Sequence, residues 1–295
     1  MKKNYKKIDR YELITNQVIE LMEKQGTDWI KTWGSNVNSN QHNKFNKKSY
    51  NGTNVFLTCL SAYVNGFTSN QWGSYKQWKD KGYQVKKGSK GTPIIYYSKI
   101  EIKDKENEEV KTIPILKGFS VFNGNQIENY TPPKIEKEKS CFNHNKTDRL
   151  IESTKAIIKQ GGNKAFYSPS ADFIQMPFKQ DFKGCKDQSA KESYYNTLLH
   201  ELSHWTGHKT RLDRSFKKFG SNAYAFEELI AECSSVFLCG MLGINNKPNI
   251  QNAKYLNNWL EVLKNDKKAM IKAFSQAQKA SDYILAFSNE LKKAA

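Results

Sequence analysis

The chain has 295 residues, 38% hydrophobic and 13% aromatic, enough for one large domain or two ordinary ones with a buried core. It has no continuous apolar run of about 18 residues, which excludes a helical membrane span. A formal net charge of +18 favours a polyanionic partner, and the basic N-terminus MKKNYKKIDR lacks the apolar stretch of a signal peptide. Five cysteines, odd in number and never spaced CxxC, read as buried free thiols in a reducing cytoplasm, here that of a bacterial host cell.

In chain order, Asp9–Gln25 carries apolar residues three and four apart and predicts an amphipathic helix. Further helices are expected over Asn54–Tyr63 and Ser74–Lys81, the latter stopped by Gly82. The pattern then turns to β: Tyr83–Lys86, Pro93–Lys103 and Val110–Phe122 are rich in Ile, Val, Tyr and Phe, with turns at Lys87-Gly88 and Lys105–Glu108. Residues 1–130 thus read as a domain of helices plus a small antiparallel sheet. Thr131-Pro132-Pro133 opens a polar linker over 131–145. Residues 146–295 read as mostly helical, and the fold class as α+β. A helix from Leu150 through Ile158 is expected to end at Gly161-Gly162, and Phe166–Phe178, with Pro169 and Pro177, to form an edge strand. Four helices follow, near 189–206, 222–240, 250–264 and 267–292.

His200-Glu201-Leu202-Ser203-His204 lies in the first of these four helices. Residues four apart share a helix face, so His200 and His204 can reach one ion. Glu201 is rotated off that face and suits a base acting on water rather than a ligand. Zinc needs a third protein ligand. The next helix carries Glu227, Glu228 and Glu232 among Phe226, Leu229 and Ile230, and acids on a core-facing helix must be paired or coordinated. Glu228 is the preferred third ligand, leaving Glu232 to take the free N–H of a ligating histidine. Glu232, Glu227 and His208 stay open as ligands, and Tyr224 and His208 are candidate oxyanion donors. One divalent ion is expected, zinc first, with Mn²⁺ or Co²⁺ as alternatives.

Residues 44–90 hold nine lysines and a single acid, Asp80, interleaved with aromatics. Lysines suit backbone phosphates and aromatic faces suit unstacked bases, a pairing that favours single strands. Candidate contacts are Lys47, Lys48, Tyr50, Asn51, Trp72, Lys76, Trp78, Tyr83, Lys86, Lys87 and Lys90. Composition alone leaves a second reading open, with the aromatics in the core beneath a solvated lysine face.

His200–His208 (HELSHWTGH), Arg211-Leu212-Asp213-Arg214 and Tyr224–Glu232 together resemble the zincin-like domain of ArdC-type antirestriction proteins. Tyr50–Asn54, Gly82–Gly88 and Phe119–Ile127 are similar to the N-terminal domain of the same family, which is associated with single-stranded DNA and also stands beside plasmid primases. The resemblance implies a gluzincin-type site of His200, His204 and Glu228 with Glu201 as catalytic glutamate. It also implies that Phe166–Phe178 lines a cleft for extended substrate. The function it implies is protection of incoming DNA of a mobile element, a plasmid or phage, from host restriction, with a host restriction-system protein as a further partner. Two alternatives are a protease for proteins stuck on DNA, and a replication or primase accessory binder with a non-catalytic metal site.

Overall fold

The chain, in a computed structural model that describes residues 9–26, 29, 41–103, 110–133, 144–185, 188–214, 221–245 and 252–293, divides into two units: residues 39–135, and residues 1–38 with 136–295. This corrects the expected boundary at 130, because the first helix belongs with the C-terminal half. Helix α1 (Arg10–Gln25) starts where Asp9 accepts hydrogen bonds from the Tyr11 and Glu12 amides. Its stripe of Ile14, Val18 and Met22 is fully buried, each residue contributing about 1.5–3 kcal/mol. The helix packs against α7 (Asn252–Asn265) and α8 (Ala269–Lys293). Thr15 donates to the Lys267 carbonyl at 2.8 Å, which fixes the register of that packing.

The 39–135 unit contains β1 (His42–Asn43), α2 (Thr53–Asn65), β2 (Gln71–Ser74), α3 (Tyr75–Asp80), β3 (Thr92–Lys103) and β4 (Val110–Asn123). Its sheet runs in the order β1-β2-β4-β3, antiparallel except for the β1–β2 pair. Strands β1 and β2 are too short to show periodicity and escaped the sequence reading. The expected strand over Tyr83–Lys86 reduces to one bridge between Val85 and Ile127. Several residues of the family-like motifs here hold the fold together. Gly52 sits at φ 53°, and the Asn54 side chain bonds both backbone groups of Ile95, at 2.8 and 2.9 Å. Asn125 accepts from the Thr68 and Ser69 amides, and Gln126 donates to the Lys90 carbonyl. The Lys105–Glu108 turn and most of the 131–145 linker lie outside the described residues.

In the C-terminal unit, α4 (His144–Ser153) ends earlier than expected. Lys155 takes φ 57°, and β-branched Ile157 and Ile158 continue as β5 (Ile157–Gln160) rather than as helix. The expected single strand over Phe166–Phe178 is a hairpin of β6 (Phe166–Ser168) and β7 (Phe173–Met176), with both prolines outside the strands. The order is β5-β7-β6, so β6 lies at one edge and β5 at the other.

Helix α5 (Ala190–Trp205) opens with a capping box of Ser189 and Glu192. Glu192 also accepts from the backbone and side chain of Asn245, tying the start of α5 to the end of α6 (Asn222–Leu242). Small residues let the helices approach closely: Ser203 on α5 bonds Ser234 on α6 at 2.9 Å, and Ser234 bonds Ser281 on α8 at 3.1 Å. Cys59, Cys233 and Cys239 are buried free thiols, whereas Cys185 is exposed, against the expectation of burial; Cys141 lies outside the described residues.

Candidate functional site

Helices α5 and α6 bring His200, His204 and Glu228 together, all buried, with ligand atoms within 4.8 Å of one another. The two Nε2 atoms are 3.2 Å apart, and each lies 3.5 Å from an oxygen of Glu228. A tetrahedral ion with bonds of about 2.0–2.1 Å separates its ligands by about 3.3 Å, so two imidazoles and one carboxylate at these spacings fit a divalent cation.

The outer contacts come from the same helix as Glu228. Glu227 lies 3.2 Å from His204 Nδ1 and receives a two-pronged grip from Arg214, with Nε and Nη2 each at 2.9 Å. Glu232 lies 3.3 Å from His200 Nδ1; the carboxylate sits off the hydrogen-bond direction, so this contact is electrostatic. Burial opposes protonation of both histidines. The carboxylates outweigh it: Glu228 and Glu227 hold His204 up to about 9, and Glu228 and Glu232 hold His200 well above its ordinary value. Burial likewise pushes Glu228 up, but the charge of His204 and the hydrogen bonds of both histidines bring its carboxyl far down. Glu201 moves the other way. Burial raises its carboxyl, only partly offset by the two histidines and by a hydrogen bond from the Tyr167 backbone on β6.

These groups lie in a cleft of about 490 Å³ whose walls include Phe166, Tyr167, Phe182, Thr197, Tyr224 and Tyr255. Tyr224 shares hydrogen bonds with Glu228 and Tyr255, and burial followed by the Glu228 charge pushes its phenol up. Tyr255 was not read from the sequence, because it belongs to an ordinary amphipathic helix far along the chain. His208 was read as a ligand or oxyanion candidate, but it does not line the cleft. The chain turns away after α5, and His208 Nδ1 bonds the Thr210 hydroxyl at 2.8 Å.

The Arg211–Arg214 motif has two separate duties. Arg211 stacks on Trp205 at 4.0 Å and bonds both oxygens of Asp172 and the Tyr167 hydroxyl, gripping the β6–β7 turn. Asp172 adopts φ 50° in that turn. Arg214 grips Glu227, the Ser203 carbonyl and Thr206. The β6–β7 hairpin and helices α5 and α6 are therefore all anchored to the segment following α5.

In the 39–135 unit the candidate contacts separate. Lys47, Lys48, Asn51, Lys76, Lys86, Lys87 and Lys90 are exposed. Trp72 and Trp78 are not: both are fully buried, with indole N–H groups donating to Gln41 at 2.5 Å and to the Phe122 carbonyl at 3.2 Å. They are core, and their candidacy as base-stacking residues is withdrawn. Tyr50 packs half-buried beside Trp72, and Tyr83 sits edge-on to Trp78 and Tyr130. Among the described side chains of this unit, the exposed rings are Tyr63, Tyr75, Tyr96 and Phe119.

Comparison with known proteins accounts for both halves. Residues 8–122 match the N-terminal domain of anti-restriction factor ArdC, and residues 145–276 match a zincin-like metallopeptidase domain. The solved antirestriction ArdC protein of plasmid R388, in its metal-free crystal structure, is 36% identical with a TM-score of 0.80, covering 96% of this chain and 99% of that one. The chain belongs to the ArdC antirestriction family. The Mn(II)-bound structure of the R388 protein is similar at 34% identity and TM-score 0.76, covering 95% of this chain and 98% of that one. Protein y4eC of Sinorhizobium fredii is 32% identical over 97% of this chain and 94% of its own length. The DNA primase TraC of Escherichia coli is also 32% identical over 95% of this chain, which spans only 20% of that longer protein.

ArdC membership gives the two units their meaning. The N-terminal domain is one that implies DNA binding. The C-terminal one is a zincin-like fold with a donor set for one divalent ion. No helix among the described residues is long and apolar enough to cross a membrane.

Proposed function

We propose that the chain protects incoming DNA of a mobile element from host restriction in the bacterial cytoplasm, binding it as a single strand and carrying a metal-dependent peptidase-like cleft. The observation that supports this reading best is the triangle of His200, His204 and Glu228 with Glu201 beside it in an open cleft. A purely structural site needs no buried glutamate next to its ligands. His200, His204 and Glu228 hold the ion, zinc being usual for this donor set and manganese being present in the R388 relative. A divalent cation there supplies Lewis acidity toward a peptide carbonyl and acidifies water.

The protein's own groups do the rest. The Glu201 carboxylate takes a proton from attacking water and returns it to the departing amine nitrogen; its burial makes it a stronger base for the first step. Tyr167 orients Glu201 through its backbone N–H. The Tyr224 and Tyr255 hydroxyls, both on the cleft wall, donate to a developing oxyanion. The edge of β6 offers backbone groups to an extended peptide, and a host restriction-system protein is the proposed source of that peptide.

The test is DNA protection against type I, II and IIG nucleases by the wild type and by Glu201→Ala. Protection lost in Glu201→Ala, with metal content and DNA affinity unchanged, supports peptidase chemistry as the means of protection. Full protection by Glu201→Ala removes the peptidase from the function and leaves the metal and DNA sites. No protection by the wild type overturns the reading.

A further inference from the structure

In the four-stranded sheet, Tyr96 and Phe119 are large side chains left 66% and 50% exposed. The register pairs Tyr96 with Lys117 and Ile94 with Phe119. Directly paired residues project from one face, and so do residues two apart on a strand, so Tyr96, Phe119 and exposed Lys117 share a face with the two rings diagonal to each other. Ile94 on that same face packs with Ala62, Trp72 and Val121; the two rings lie beyond that cluster and stay in solvent contact. Two outward rings on adjacent strands with an ammonium beside them match a stacked base and its phosphate. The unit as a whole complements such a partner, with fifteen lysines against seven acids over residues 39–135. Five of those acids lie at 101–109, at and between the two strands' far ends, and nine of the lysines lie in 44–90 with Asp80 as the one acid there.

We infer that Tyr96, Phe119 and Lys117 form the base-stacking platform of this protein, holding unpaired bases of a single strand on the β3–β4 face just beyond the part that α2 covers. The inference rests on the single-strand reading above and replaces buried Trp72 and Trp78 as the source of stacking. Stacking on a ring is indifferent to base identity, so the platform discriminates single strand from duplex without reading sequence.

The full-length protein is titrated against a fluorescein-labelled oligothymidylate, and against the same length of duplex, by anisotropy at several salt concentrations. Tyr96→Ala and Phe119→Ala each weaken single-strand binding by about 10-fold and the pair by about 100-fold, within the range of stacking energies. Tyr96→Phe keeps affinity within about twofold, because the ring is retained. The aromatic variants leave the salt dependence parallel to wild type, whereas Lys117→Glu lowers it by about one contact, or about 0.7 in slope. Exposed positions tolerate these changes, and unchanged near-ultraviolet circular dichroism verifies it. A wild type that binds single strand and duplex equally defeats the underlying reading. A wild type that prefers single strands, combined with a double variant of wild-type affinity, overturns this platform alone. Variants that alter only the sedimentation of the protein assign the face to self-association and overturn it too.

Discussion

The metal helices and the N-terminal sheet both drew functional readings from side-chain type and spacing, yet those readings fared differently. On α5, His200 and His204 meet because a helix fixes what lies one turn away, and no other arrangement of the chain can separate them. In the sheet unit, Trp72 and Trp78 alternate with lysines just as Tyr75 does, but both tryptophans are buried and Tyr75 is exposed. Local geometry decides the first case. Tertiary packing decides the second, and a run of lysines beside aromatics carries no record of it. Chemistry confined to one helix can be read from a sequence, while chemistry spread over a sheet face needs the register.

The largest expected effect attacks the helical side of that contrast. His200→Ala, His204→Ala or Glu228→Ala removes one of three ligands and should lower metal affinity beyond detection in elemental analysis after dialysis. Retention of a full equivalent of metal by Glu228→Ala would move the ligand role to Glu227 or Glu232. Next is Arg214→Ala, which leaves Glu227, 5% exposed at its side chain, without its two-pronged partner and with only His204 beside it. Stranding a buried charge costs about 3–5 kcal/mol, so a clear drop in urea midpoint is expected. An unchanged midpoint would mean that the charge of Glu227 is met elsewhere.

On the sheet side, Trp78→Ala should destabilise the protein by about 3–5 kcal/mol, as large core truncations do. Stable folding of that variant with selective loss of DNA affinity would restore Trp78 to the interface and break the comparison. A pH test sharpens it for the metal centre. Without metal, His204 has its folded value raised from 6.5 to about 9. Its contribution to stability is therefore complete below about pH 6.5 and fades as pH rises through about 9. Metal affinity should rise over the same interval as the protons leave. Thermal melts of chelator-treated and metal-loaded protein at about pH 6 and about pH 9.5 should show a metal-induced shift that is larger at the higher pH. A larger shift at the lower pH would contradict the assignment. The smallest effect is expected from Lys87→Glu, a few-fold loss of DNA affinity with a flatter salt dependence. Unaltered binding would exclude the 86–90 loop from the DNA path.

The meeting of His200, His204 and Glu228 was legible, because three acids on an apolar helix demand partners. The grips of Arg211 and Arg214 were not, since a surface-type RLDR segment gives no sign of which carboxylates it will meet. Helix boundaries read well where caps exist, as at Asp9 and Ser189. They failed after Ser153, where β-branched Ile157 and Ile158 have a parallel partner in β7 that lies more than a dozen residues downstream. The first helix was misassigned for a similar reason. Its stripe predicts burial but cannot name helices some 240 residues away.

Helix α6 carries Glu227, Glu228 and Glu232 on one rigid rod. The inner carboxylate and its two outer partners therefore cannot be tuned independently by moving the backbone. A slip of one residue along that rod would exchange Glu228 for its neighbour and misalign all three at once. Substitutions that adjust metal preference are thus confined to side chains, or to the α5 histidines opposite.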